Sequence, residues 1–174
     1  MRVRFPVVLA AVTTLLGSGT ILAKAEGPHP RLRFPTTHVR VLVDRAIDGA
    51  KRQLADPECQ RVFTDFQDRN GNSLLANLLA SGKTPQEYLD EMWFIDASDA
   101  RPCQRGELLV AYTSPGHRVV YVCGSRFVHP IYRLNQRLAE LLIIHEMLHS
   151  LGLGENPPTT HQITKQVVRR CNRV

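Results

Sequence analysis

His145-Glu146-Met147-Leu148-His149 sets two imidazoles four residues apart with a carboxylate between them. A helix turns by about 100° per residue, so His145 and His149 share one face, one above the other. Glu146 stands beside them, able to reach a water between the rings without becoming a ligand itself. This is the spacing by which a helix presents two ligands to a zinc ion and a general base to the water the ion activates. Catalytic zinc takes a third protein ligand. After Glu155 the chain contains no Asp or Glu, which leaves Glu155 and His161 as candidates. Glu155 follows Gly152, where a turn can swing the chain back toward the rings; His161 lies beyond Pro157 and Pro158. A donor for a developing oxyanion is also required, and His161, Tyr112, Tyr121 and Tyr132 are of the right type.

The helix that must carry these groups is predicted from about Pro130 to Leu151. Leu141-Leu142-Ile143-Ile144 makes it apolar all round, the mark of a buried central helix, and Gly152 is placed to end it. Two imidazoles and a carboxylate buried there without compensation would be costly, and a bound metal offsets that cost. Upstream, Val39, Leu42, Val43, Ala46, Ile47, Ala50 and Leu54 recur at helical spacing and predict a first amphipathic helix to about Ala55. Asp56 and Pro57 cap and open a short second helix. Asp68 to Asn72 is a turn. An EF-hand loop with Gly71 at its sixth position would need acids where Phe66 and Asn77 stand. Ser73 to Ala80 reads as helix, Thr84-Pro85-Gln86-Glu87 opens another with a capping box, and residues 96–105 read as a polar loop. Residues 107–112 and 118–123 are β-branched and predict a hairpin around Ser114-Pro115-Gly116. Thr159 or Thr160 can cap a last helix through Ile163, Val167 and Val168. The expected fold is α+β, mostly helical with a small sheet.

Arg2 and Arg4, the apolar run Val7 to Leu22 and the small residues Ala23 and Ala25 read as a secretory signal, residues 1–25. The run is short and broken by Gly17 and Gly19, which argues against a membrane anchor. Cleavage leaves 149 of the 174 residues, residues 26–174, as a single domain. Of the 22 basic residues Arg2, Arg4 and Lys24 leave with the signal, so the mature balance falls from +6 to +3. A nucleic-acid partner is therefore not expected, and Lys165, Arg169, Arg170 and Arg173 read as a solvated helix face. Residues 27–37, rich in proline, read as an extended arm.

Four cysteines in an exported chain imply two disulfides. A continuous hairpin would set Cys123 opposite about residue 108. Cys103 would then lie roughly 16 Å away at strand rise, beyond disulfide reach. The expected pairing is accordingly Cys59–Cys103 with Cys123–Cys171.

His145 to Glu155 resembles the extended zinc motif of the metzincin metallopeptidases, H-E-x-x-H-x-x-G-x-x-H/D, with Glu155 at the third-ligand position. The run with Asn156-Pro157-Pro158 and the closing Cys171 is similar to small exported bacterial proteins of zincin type. The resemblance implies that His145, His149 and Glu155 bind one zinc ion, with Glu146 as general base. It also implies that a sheet edge beside the helix, here the hairpin, takes substrate as an added strand. Glu155 replaces the family's His or Asp and no Met follows the motif, so the fold expected is a minimal zincin-like domain. The activity expected is that of an exported, monomeric zinc peptidase acting on peptide or protein, with no stable membrane insertion. Another zinc amide hydrolase acting on cell-wall peptides, or a disulfide-stabilised binding protein with structural zinc, would use the same residues.

Overall fold

Two helices form the spine of the protein because their sequences leave them no exposed alternative. In the computed structural model, which describes residues 29–105, 109–129 and 135–172, α1 (Thr37–Leu54) buries Val43, Ala46, Ile47, Ala50 and Leu54 completely. These positions make one stripe at 3.6-residue spacing. It packs against α7 (Gln136–Ser150), in which Ala139 to Leu141 and Ile143 to Ser150 are all buried. Close approach of the two needs Gly49, since a Cβ there would stand 2.2 Å from the Glu140 carboxyl group. Glu140 is itself buried but compensated: Gln53 donates to it, and Arg137 lies 3.5 Å away.

The remaining elements close around that pair. Asp56 caps α2 (Pro57–Gln60), accepting from the Glu58 N–H at 2.9 Å, and a 3-10 turn (Arg61–Phe63) continues it. Ser73 caps α3 (Leu74–Ala80), and Thr84 with Glu87 forms the capping box of α4 (Pro85–Asp90). α8 (Thr160–Cys171) begins with a second capping box, Thr159 with Gln162. Each cap satisfies N–H groups that the first helical turn would otherwise leave open.

The sheet is mixed. Its order is β1 (Arg31–Arg33), β2 (Trp93–Asp96), β4 (Val119–Val122), β3 (Ala111–Thr113). The first three are parallel; β3 and β4 are the expected antiparallel hairpin, with Tyr112 opposite Tyr121. The core fills the space between sheet and helices with Phe94, Val120, Val122, Ile143, Ile144, Met147 and Phe63. This is the α+β class expected, with two parallel strands that were not. Residues 96–105, expected as loop, contain α5 (Arg101–Arg105), and α6 (Gly124–Phe127) follows β4. The expected signal segment, Tyr132, the first residues of the long helix and residues 107–108 of the hairpin lie outside the described residues. No helix among the described residues is long and apolar enough to cross a membrane.

The expected disulfide pairing is wrong. Cys59 pairs with Cys171 (Cα–Cα 4.4 Å) and Cys103 with Cys123 (Cα–Cα 5.4 Å). The expectation took the chain from Cys103 into the hairpin as strand, advancing over 3 Å per residue. Instead Cys103 sits in α5, where each residue advances only about 1.5 Å. The Cys123 N–H bonds to Val110 O at 2.9 Å, so Cys123 sits beside residue 110, and the bridge sets α5 against that end of the hairpin. Cys103, Cys123 and Ala97 form a small second core, with Tyr112 and Tyr121 against it.

Arg170 ties α8 to α2 and to the segment after the 3-10 turn by donating to Glu58 Oε1 (2.7 Å) and to both oxygens of Asp65 (2.7 and 2.8 Å). The Arg170 bonds hold the Asp65 carboxyl below its ordinary range, against an opposing effect of burial. A lowered folded-state pKa adds stability above the unfolded value of about 3.9, and that stability is lost as pH falls through the folded value. Asp65→Asn is therefore expected to lower stability at neutral pH. It should also flatten the fall in urea midpoint below about pH 4. An unchanged acid limb in the variant would contradict this assignment.

Candidate metal centre

His145 and His149 project from the second half of α7, one turn apart, and their Nε2 atoms lie 3.1 Å from each other. Gly152 ends the helix with φ of 109°, a conformation that side chains with a Cβ avoid. The chain then returns past the rings, and Glu155 Oε1 comes to 3.3 Å from His149 Nε2. Ligand atoms of His145, His149 and Glu155 all lie within 4.8 Å of one another. Of the two candidates for a third ligand, Glu155 joins this group and His161 does not.

The placement of His161 follows from the helical period of α8. Thr160 and Thr164, one turn apart, face the rings: the Thr160 hydroxyl donates to Glu155 Oε1 at 2.8 Å, and Thr164 Oγ1 lies 3.0 Å from His145 Nδ1. His161 is turned about 100° from Thr160 and is exposed.

Hydrogen bonding decides how the rings present themselves. His149 Nδ1 stands 2.8 Å from Leu153 O, which can only accept, so Nδ1 carries the proton and Nε2 keeps its lone pair. That lone pair faces both His145 Nε2 and the Glu155 carboxylate. A proton at His149 Nε2 could serve only one of those neighbours; a small dication serves all three. Two donors on a tetrahedral zinc with bonds of about 2.0–2.1 Å are roughly 3.3–3.4 Å apart, close to the 3.1 and 3.3 Å that separate His149 Nε2 from its two neighbours. The residues present therefore fit such an ion. Burial, followed by the closeness of the second ring at His149, holds the His145 imidazole down to about 3, so it is neutral at physiological pH, as a ligand must be.

Glu146 faces the third strand of the sheet by sequence order. It is 3% exposed, and its Oε2 has no hydrogen-bond partner among the described residues. Burial pushes its carboxyl up to about 7; Thr113 opposes the rise and the Glu155 charge adds to it. Thr113 Oγ1 is itself without a partner, so the two groups are neighbours that do not complete an ordinary hydrogen bond. A cation beside Glu146 would favour its charged form. Buried polar atoms left open in this way point to something further that binds there.

The group lies in the wall of a cleft of about 470 Å³. One side is the run from Leu109 to Thr113, including β3, whose outer edge pairs with no other strand of the sheet. Leu138, Leu141 and Leu142 line it along the turns of α7 that precede the rings, which makes that end apolar; Arg69, against Gly154, lines it with Glu155 and Thr160 beyond the end of α7. Tyr112 and Tyr121 stack on each other with ring centroids 5.0 Å apart and pack against the second core. Of these two tyrosines only Tyr112 lines the cleft, and Tyr132 lies outside the described residues. Thr113, Thr160, Thr164 and the Leu153 carbonyl had no signal in the sequence, because hydroxyls and carbonyls acquire such roles only by tertiary contact. Compared with protein-family models, curated proteins and solved structures, the chain matches none.

The geometry separates the two candidate third ligands experimentally. Glu155→Ala is expected to weaken zinc binding by about tenfold to a hundredfold or more, and His161→Ala by less than about threefold. Competition titration against a chromophoric chelator measures both. The reverse order would transfer the third ligand to His161.

Proposed function

We propose that this protein is a zinc-dependent peptidase, with His145, His149 and Glu155 as the ligands. The observation that carries this reading is the convergence of three lone pairs beside the unpartnered carboxylate of Glu146. In such a site zinc supplies Lewis-acid polarisation of a carbonyl and a water activated for attack. Glu146 accepts the proton of the attacking water at a carboxylate oxygen as the C–O bond forms, then delivers it to the leaving nitrogen, and the amide C–N bond breaks as that nitrogen is protonated. The Leu153 carbonyl and Thr164 orient the two rings, and Thr160 orients Glu155, holding the ligand atoms toward one point. The outer edge of β3 offers backbone N–H and C=O groups to an extended main chain, which aligns a peptide along the cleft. The apolar end receives a side chain next to the scissile bond. Two disulfides accord with an oxidising compartment, and hence with export.

The test is hydrolysis of a mixed peptide pool by the mature chain loaded with one equivalent of zinc. New amino termini should appear, vanish with a chelator and return when zinc is restored. No cleavage by the zinc-loaded protein, or cleavage indifferent to chelation, would overturn the reading.

A further inference from the structure

The two ends of the cleft differ in kind, and the cationic end has no assigned use. Arg69 lies on its rim, exposed, and forms no ion pair among the described residues. Glu155, the acid beside it in the cleft, is already engaged by His149 and Thr160. An arginine without a carboxylate of its own, at the mouth of a site, is free to meet one from outside.

Its position is built rather than incidental. Asp68 Oδ1 accepts from the Asn70 and Asn72 N–H groups (2.8 and 2.9 Å), which fixes the turn that carries Arg69. Asn77 Nδ2 bridges Asp68 Oδ2 (3.0 Å) and Leu151 O (2.8 Å), anchoring the turn to the end of α7. These bonds, that from Asn77 foremost, hold the Asp68 carboxyl down to about 2, so the brace stays charged at neutral pH. Both glycines after the helix face this turn. A Cβ on Gly152 would lie 3.1 Å from Asp68 Cβ, and one on Gly154 would lie 3.5 Å from Arg69 Nε. The guanidinium end therefore rides on the backbone next to Glu155.

We propose that Arg69 is a specificity-determining residue that binds a carboxylate of the substrate. The inference rests on the peptidase reading and names the substrate class for that site: peptides with an anionic group at the Glu155 end of the cleft. The guanidinium offers a planar fork of donors that matches a carboxylate. Strand polarity indicates where that carboxylate lies. The turn after β3 meets the end of α7 through the Gly116 N–H and His149 O (3.0 Å), so β3 runs toward the Arg69 end. A substrate strand added antiparallel to β3 lays its amino-terminal half over Arg69. The carboxylate is then an Asp or Glu side chain before the scissile bond, and the apolar end receives the residue after it.

The test uses quenched peptides that differ only by Glu against Gln on the amino-terminal side of the cut, each made with a free and an amidated C-terminus. Wild-type protein with zinc should favour Glu over Gln in kcat/KM by about tenfold, the scale of one charge-assisted contact. In Arg69→Ala this ratio should fall to about one, and in Arg69→Glu a Lys-containing peptide should become the preferred substrate. Zinc content and thermal unfolding of both variants identify any loss of fold. An unchanged Glu/Gln ratio, or equal losses for both peptides, would overturn the role of Arg69 and leave the peptidase reading intact. A preference for the free C-terminus that Arg69→Ala abolishes would keep the carboxylate site and overturn the strand polarity. Hydrolysis of no peptide by the zinc-loaded wild type would overturn the peptidase reading, and this inference with it.

Discussion

Glu146→Gln is expected to bind zinc as the wild type does and to lose peptide hydrolysis by about 10²–10⁴-fold, the range general-base catalysis contributes. Gln has the same size and nearly the same shape, so the buried position beside Thr113 accommodates it. It cannot take up a proton, and the other carboxylate at the site, Glu155, is already engaged by His149 and Thr160. The substitution also removes a charge whose burial is unfavourable, as the upward pKa shift of Glu146 shows. The metal-free variant should accordingly unfold at a temperature no lower than the wild type. Equal zinc content with lost turnover separates a base from a ligand; retained turnover would contradict the proposed mechanism.

Removing the Cys59–Cys171 bridge should cost the most stability of any local change. The two residues are 112 apart in sequence, against 20 for Cys103–Cys123. Loop-closure entropy then gives roughly 5 kcal/mol for the first and roughly 3 kcal/mol for the second at 25 °C. Domains of this size are stable by only about 5–15 kcal/mol, so Cys59→Ala/Cys171→Ala leaves the protein close to its unfolding threshold. The consequence reaches the site, because the bridge holds the end of α8, and α8 supplies Thr160 and Thr164 to the ligands. Zinc affinity should therefore fall with stability in this variant, and less so in Cys103→Ala/Cys123→Ala. Denaturant midpoints and zinc titrations of the two double variants measure both effects. A larger loss from the shorter loop would contradict the account.

The helices were legible because their signals are local. The stripe of α1, the Asp56–Pro57 start and the Thr84 capping box each lie within a few residues, and each appears where the pattern places it. The parallel strands were not legible. Arg31-Leu32-Arg33 pairs with Trp93-Phe94-Ile95 across some sixty residues, and neither segment shows alternation long enough to mark a strand. The disulfides failed for a related reason, since Cys103 lies in a short helix within a polar stretch, and the strand geometry assumed from Cys103 onward does not apply there. At the site, the spacing of His145, Glu146 and His149 placed the two rings together, and the turn at Gly152 made Glu155 one of two candidates to join them. The choice against His161 came from the phase of α8, which depends on where its first turn begins.

The location of a bound metal tests the central claim most directly. Crystals of the mature chain grown with zinc, measured across the zinc absorption edge, should show one anomalous peak per chain. It should lie about 2.0–2.2 Å from His145 Nε2, His149 Nε2 and a Glu155 oxygen, with Glu146 near but not bound. No peak between the two imidazoles at full zinc loading, or a peak held by His161 in place of Glu155, would contradict the account.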